Sequence, residues 1–144
     1  MKALLDTSVL LAALIEEHQR HDRAFPKLLA ARNREYECFV SQHSLAELYC
    51  NLTRLPYEPR ITPAGARDAI RRDITTLAQI VALLPADYDA VIERMAALGL
   101  TGATIYDALI ARAAEKAGVD RLYTLNPADF RRVWPEGDKV ISEP

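Results

Sequence analysis

Apolar residues follow two habits along this chain, short unbroken runs and longer stretches in which they recur every three or four positions. Short runs bounded by polar or turn residues read as buried strands, and the longer spacing reads as amphipathic helix. Lys2 to Leu5 is the first strand. From Ser8 to about His18, Leu10, Leu11, Leu14 and Ile15 make a helical stripe. A second helix is predicted over about Asp22 to Arg34, with Phe25, Leu28 and Leu29 inward and Pro26 in a tolerant first turn. Glu37 to Ser41 is strand two, followed by a helix from about Leu45 to Leu55 with Leu45, Leu48, Tyr49 and Leu52 on one face. Thr62-Pro63 opens a long helix to about Gln79, since Thr suits the N-cap and Pro the first turn. Ile80 to Leu84 is strand three, and a helix spans about Tyr88 to Leu98. Gly99 and Gly102 break the chain before a strong helix from Thr104 to Lys116, ended by Gly118. Arg121 to Thr124 is strand four, Asn126-Pro127 turns the chain, and Lys139 to Ser142 is a candidate fifth strand.

Strands alternating with helices predict an α/β domain with a mainly parallel sheet. No repeat, linker or low-complexity stretch interrupts it, so residues 1–144 read as one domain, an ordinary size for one. Ligands of such sheets bind outside the carboxyl ends of the strands, where both Asp6 and Asn126 fall.

Composition narrows the function classes. The chain is 50% hydrophobic and 26% charged, an ordinary globular balance. Its net charge of −2 excludes a broad basic footprint for nucleic acid and leaves room only for a local basic rim. Cys38 and Cys50 lack a neighbouring His cluster, so they form neither a zinc pattern nor a disulfide framework. Two buried free thiols in a reducing cytosol are expected. The apolar stretch Val9 to Ile15 is short and ends in Glu16-Glu17, unlike a secretory signal. No run reaches the ~18 to 20 apolar residues of a membrane span, so a cytoplasmic protein is expected.

The candidate chemistry is acidic. Asp6 follows Ala3-Leu4-Leu5, and a carboxylate at the end of a buried strand is costly to desolvate. Packing does not call for it, and Ser8 can cap the first helix unaided. Ser44-Leu45-Ala46-Glu47 and Thr104-Ile105-Tyr106-Asp107 both fit capping boxes, and Asn126-Pro127-Ala128-Asp129 fits an N-cap with Pro first. Glu47, Asp107 and Asp129 can therefore be read as helix caps. That reading is compatible with function, because an acid at a helix N-terminus stays ionised and can ligate a hard cation such as Mg²⁺ or Mn²⁺.

The order of these segments resembles the PIN-domain ribonucleases, specifically the VapC-type toxins of prokaryotic toxin–antitoxin pairs. The resemblance covers almost the whole chain. It is carried by Leu4-Leu5-Asp6-Thr7-Ser8-Val9-Leu10, by Ser41 with Ser44-Leu45-Ala46-Glu47-Leu48, by Tyr106-Asp107-Ala108-Leu109-Ile110-Ala111, and by Leu122-Tyr123-Thr124-Leu125-Asn126-Pro127-Ala128-Asp129-Phe130. It implies an α/β/α sandwich around a five-stranded parallel sheet, and Mg²⁺- or Mn²⁺-dependent endoribonuclease activity. By position, Asp6 and Asp107 are the implied metal ligands and Glu47 completes the acidic triad, reaching the ion directly or through water. Many relatives carry Asp where this chain has Asn126, which weakens the case for a second tightly held ion; Asp129 is the alternative fourth acid. Asn126 and Thr124 are expected to position water or phosphate. The resemblance also implies a homodimer and a cognate VapB-like antitoxin whose tail lies in the active-site groove.

An acidic site alone repels RNA, so cationic side chains must contact phosphates around it. Arg54, Arg60, Arg112 and Lys116 are the candidates, each more readily explained as a solvated surface charge, and Tyr57 can either stack on a base or pack in the fold. Two other classes compete. A haloacid-dehalogenase-like phosphatase needs a second acid two positions after the first, where this chain has Ser8. A non-catalytic or regulatory binding module would keep the acids as caps, a reading that Asn126 favours.

Overall fold

In the computed structural model, which describes residues 1–144, five strands form one sheet: β1 (Lys2–Leu5), β2 (Glu37–Ser41), β3 (Gln79–Val81), β4 (Arg121–Tyr123) and β5 (Ile141–Ser142). They lie in the order β3-β2-β1-β4-β5, and every pairing is parallel. Seven α-helices cover both faces: α1 (Thr7–Leu14), α2 (His21–Arg32), α3 (Gln42–Arg54), α4 (Pro63–Ile70), α5 (Pro85–Leu98), α6 (Thr104–Ala117) and α7 (Pro127–Val133). This is the expected α/β/α sandwich. No helix is long and apolar enough to cross a membrane.

The unbroken apolar runs of the central strands follow from burial on both faces. Leu4 joins Phe39, Leu122, Val91, Ile110 and Phe130 in one core, under α5, α6 and α7. Leu5, one residue on, joins Val40, Val9, Leu10, Leu28, Leu48 and Leu52 in the other, under α1 to α4. Strand order places β1 at the middle. The chain winds outward from β1 through β2 to β3, then returns to lay β4 on the other side of β1. The crevice between the carboxyl ends of β1 and β4 is therefore the topological switch point where such sheets bind ligands.

Several expectations need correction. The long helix from Thr62 stops at Ile70 and runs into a π-helical turn, Arg71–Thr75. The hydroxyls of Thr75 and Thr76 donate back to the carbonyls of Arg71 and Arg72 at 3.0 and 2.6 Å, a bond that competes with the regular helix ladder. Strand three consequently begins and ends earlier than predicted. The first helix ends at Leu14 rather than His18, with Ile15 already extended. The second begins at His21, which puts Pro26 beyond the first turn. Phe25, Leu29 and Tyr49, expected inside, remain 41%, 42% and 43% exposed. Cys50 is exposed and only Cys38 is buried.

Candidate active site

Asp6 stands where the central strand ends, 3% exposed, and is itself the N-cap of α1. Its Oδ2 accepts from the Ser8 hydroxyl at 2.6 Å, the Thr124 hydroxyl at 2.9 Å and the Ser8 amide at 3.4 Å. Each hydroxyl is already committed as an acceptor. The Leu125 amide donates to Ser8 Oγ and the Asn126 amide donates to Thr124 Oγ1, both at 3.0 Å. A hydroxyl has one proton, so both protons are aimed at Asp6. Burial pushes the Asp6 carboxyl above its ordinary range, and the bonds from Ser8 and Thr124 and the amides of Thr7 and Ser8 oppose that rise.

The capping assignments of the sequence are thus inverted. Asp6, which seemed free of a capping role, is a cap. Strand β2 passes into α3 without a loop, so Ser41 takes the N-cap position and Ser44 is buried inside the helix. Ala103 holds that position for α6 with no side-chain bond. Neither predicted capping box forms, and Glu47 and Asp107 are released from that role. Asn126 is the N-cap of α7 by backbone, with Pro127 first in the helix, but its side chain bonds nothing.

Glu47 is fixed from the side. Thr7 Oγ1 donates to its Oε2 at 2.7 Å, and His43 Nε2 stands 3.6 Å from Oε1. Burial alone would raise its pKa, but the His43 and Thr7 contacts together outweigh burial and hold it below the usual range. Asp107 goes the other way, pushed up to about 7 by burial first and then by the charges of Asp6, Asp129 and Glu47, with His43 opposing.

Asp6, Glu47, Asp107 and Asn126 line one open cleft of about 450 Å³, with Thr7, Ser8, His18, Arg20 and Asn51 also on its walls. All four predicted site residues are brought together. Asp129 is not among the walls; it lies exposed, 3.8 Å from Arg132. Thr124 is buried and bound to Asp6, so it holds the acid and does not reach a phosphate, contrary to expectation.

No group of three or more His, Cys, Asp and Glu side chains is drawn together closely enough to hold a metal ion by itself. An open set of carboxylate oxygens suits Mg²⁺, which takes one or two carboxylates and keeps much of its water. The negative charges that, after burial, raise Asp107 are the physical sign of fit, because a divalent cation would relieve their repulsion.

The cationic side chains were placed less well by sequence. Arg112 and Lys116 pair with Asp87 at 3.0 and 2.7 Å, away from the cleft. Arg54 and Arg60 are exposed and outside the cleft walls. Tyr57 packs against the core under α1 to α4, as the packing reading required. The cleft's own cation is Arg20, with His18 beside it, in the connection between α1 and α2. The early end of α1 puts them there.

A family model described as PIN domain matches residues 3–134. Ribonuclease VapC40 of Mycobacterium tuberculosis is 35% identical over 117 residues, 81% of each chain. Among solved structures, VapBC2 from Rickettsia felis bound to a promoter DNA fragment aligns over 100% of this chain and 99% of that one, with TM-score 0.67 and 21% identity. VapC20 of Mycobacterium tuberculosis, a sarcin–ricin loop cleaving toxin, aligns over 83% and 86%, with TM-score 0.65 and 22% identity.

Proposed function

The chain belongs to the PIN-domain family, and we propose that it is a metal-dependent endoribonuclease acting as the toxin of a toxin–antitoxin pair. The observation that carries the reading is the acidic cleft at the sheet's switch point, where burial first, and then the charges of Asp6, Asp129 and Glu47, push the Asp107 carboxyl up to about 7. Similarity to a relative named as a ribonuclease supports the activity and the choice of substrate.

Asp6 and Asp107 would hold a Mg²⁺ or Mn²⁺ ion. Once bound, such an ion neutralises charge on the scissile phosphate and makes water a better nucleophile at neutral pH. The protein's own contribution is preorganisation. Ser8 and Thr124 fix one oxygen of Asp6, leaving its other oxygen for the cation. Thr7 fixes one oxygen of Glu47, and the other, with His43 at 3.6 Å, keeps a lone pair that can orient the attacking water. Asn126 offers an uncommitted amide to water or phosphate at the cleft wall. Arg20 supplies the cationic contact that an acidic cleft needs to admit a phosphodiester. In-line attack then expels the 3′ oxygen.

The neighbour solved as VapBC2 supports a VapB-like antitoxin as partner. An antitoxin Arg reaching Asp6 and Asp107 would compete with the metal. A homodimer and a cytoplasmic location complete the proposal.

The test is cleavage of mixed RNAs by the purified chain with Mg²⁺, with EDTA and Asp107→Ala as controls. Cleavage lost in both controls is expected. Because Asn126 replaces a fourth acid, the competing reading is a non-catalytic binding module, and a folded chain that binds RNA without cutting it would establish that one.

A further inference from the structure

Beside the acidic cleft lies a second cavity of about 330 Å³, at the small end of ligand-sized spaces. Its walls are His43, Ala46, Glu47, Cys50, Asn51 and Tyr106. Glu47 and Asn51 also line the cleft, so the two spaces share a wall. Their chemistry differs. The cleft is a cluster of carboxylates, whereas the side cavity is faced with aromatic and small side chains.

Five of its six walls come from one face of α3, at spacings of three and four residues. Tyr106 comes from the first turn of α6, next to Asp107. The rings of His43 and Tyr106 stack with centroids 5.0 Å apart and 15° between planes. That contact uses one face of each ring. Tyr106 is still 47% exposed, so a large aromatic surface remains open beside the acids. Asn51 is exposed and forms no side-chain bond, leaving both a donor and an acceptor at the shared wall.

We propose that this side cavity receives the nucleobase adjoining the scissile phosphate, stacked on the open face of Tyr106 with Asn51 reading its edge. The inference rests on the ribonuclease reading. Single-stranded RNA is recognised by stacking unpaired bases on aromatic side chains and bonding their edges. The chain carries a net charge of −2 and has one Arg on the cleft wall, so phosphate attraction alone gives it little hold on RNA. Stacking does not depend on charge and supplies the missing affinity. His43 acts as a positioning residue, backing Tyr106 on one side and contacting Glu47 on the other. Base recognition and phosphate chemistry are therefore joined through one wall.

The test uses the full chain and two readouts. Steady-state cleavage of a randomised RNA oligonucleotide pool gives kcat, KM and the bases flanking each cut. Quenching of 2-aminopurine in a short single-stranded RNA, measured in EDTA, reports stacking without turnover. Tyr106→Ala is expected to raise KM roughly tenfold and to abolish the quench, since a stacked base contributes about 1–3 kcal/mol. Tyr106→Phe is expected to restore both, and Asn51→Ala to change the base distribution beside the cut. Active enzymes whose KM, quench and cut-site bases are indifferent to all three substitutions would overturn the inference and leave the ribonuclease reading standing. Unchanged RNA behaviour with an altered oligomeric state in light scattering would also overturn it, assigning the cavity to a protein contact. A Tyr106-dependent quench in a chain that never cuts RNA would support the base site and sink the nuclease reading.

Discussion

Asp107 makes the sharpest test of the site, because its protonation links charge crowding to stability. Its carboxyl is pushed from an ordinary 3.8 up to about 7, chiefly by burial and then by Asp6, Asp129 and Glu47. Between those values the folded chain holds a proton that the unfolded chain has released. The unfolded state therefore binds fewer protons, and stability falls as pH rises through this window. Full conversion of such a displacement gives about 4 kcal/mol. Asp107 is partly open to water, which screens the effect, and about 2 kcal/mol is the fair expectation. Replacing Asp107 by Asn removes the titration at nearly constant shape. The variant should match the wild type at about pH 4 and exceed it by about 2 kcal/mol at about pH 8. That is a melting-temperature gap of roughly 6 °C for a chain of this size. Thermal unfolding followed by circular dichroism in EDTA reads it directly. Added Mg²⁺ should raise the wild-type Tm at the higher pH and leave the variant less affected. A gap independent of pH, or a variant less stable than wild type at high pH, would refute the crowding argument.

Three further outcomes are expected. Asp6→Asn should abolish metal-dependent cleavage while keeping the fold, since Ser8 and Thr124 all address one oxygen that an amide retains; full activity in a folded variant would sink the ligand assignment. Thr124→Val leaves the Asn126 amide without its acceptor and Asp6 without one of its donors, so it should cost about 1–3 kcal/mol in urea unfolding and lower cleavage, with Thr124→Ser restoring much of both. Maleimide should label the native chain once, at exposed Cys50, because Cys38 is buried with its thiol pushed up to about 12, and twice in denaturant; two fast native adducts by mass spectrometry would contradict the packing of β2.

The strands and the sheet class were legible because burial on both faces leaves no polar position in runs such as Ala3-Leu4-Leu5. Asp6 was legible because a charge after such a run has few packing explanations, whereas Glu47, Asp107 and Asn126 were singled out by the order of segments that resembles the PIN-domain family. Helix ends were not. The pattern Leu10, Leu11, Leu14, Ile15 carries no stop signal, so a four-residue overrun put His18 within a helix and left Arg20 in a short connection with nothing to mark it as part of the cleft. The Ser44–Glu47 spacing suggested a cap where the true boundary is a strand that enters its helix without a loop. Pairings between distant elements left no local trace either. Nothing near Arg112 or Lys116 announces that both belong to Asp87.

The placement of the acids also explains why the fold tolerates them. The N-terminal ends of α1, α3, α6 and α7 meet at the cleft, which holds the cap of α1, the first turn of α6, the second turn of α3 and the cap of α7. Each helix N-terminus carries roughly half a positive charge. Without acids, the crevice would be an anion site suited to phosphate. Asp6, Glu47 and Asp107 overfill that field, and the excess adds to burial in pushing the Asp107 carboxyl up to about 7. A divalent cation would restore the balance and, with the helix ends, would leave the crevice able to accept a phosphodiester. Metal and substrate should therefore bind with positive coupling: saturating RNA should tighten Mg²⁺ binding to the wild type, measurable by calorimetry on a non-cleavable analogue. Independent binding of the two would show that the helix ends do not act on the phosphate.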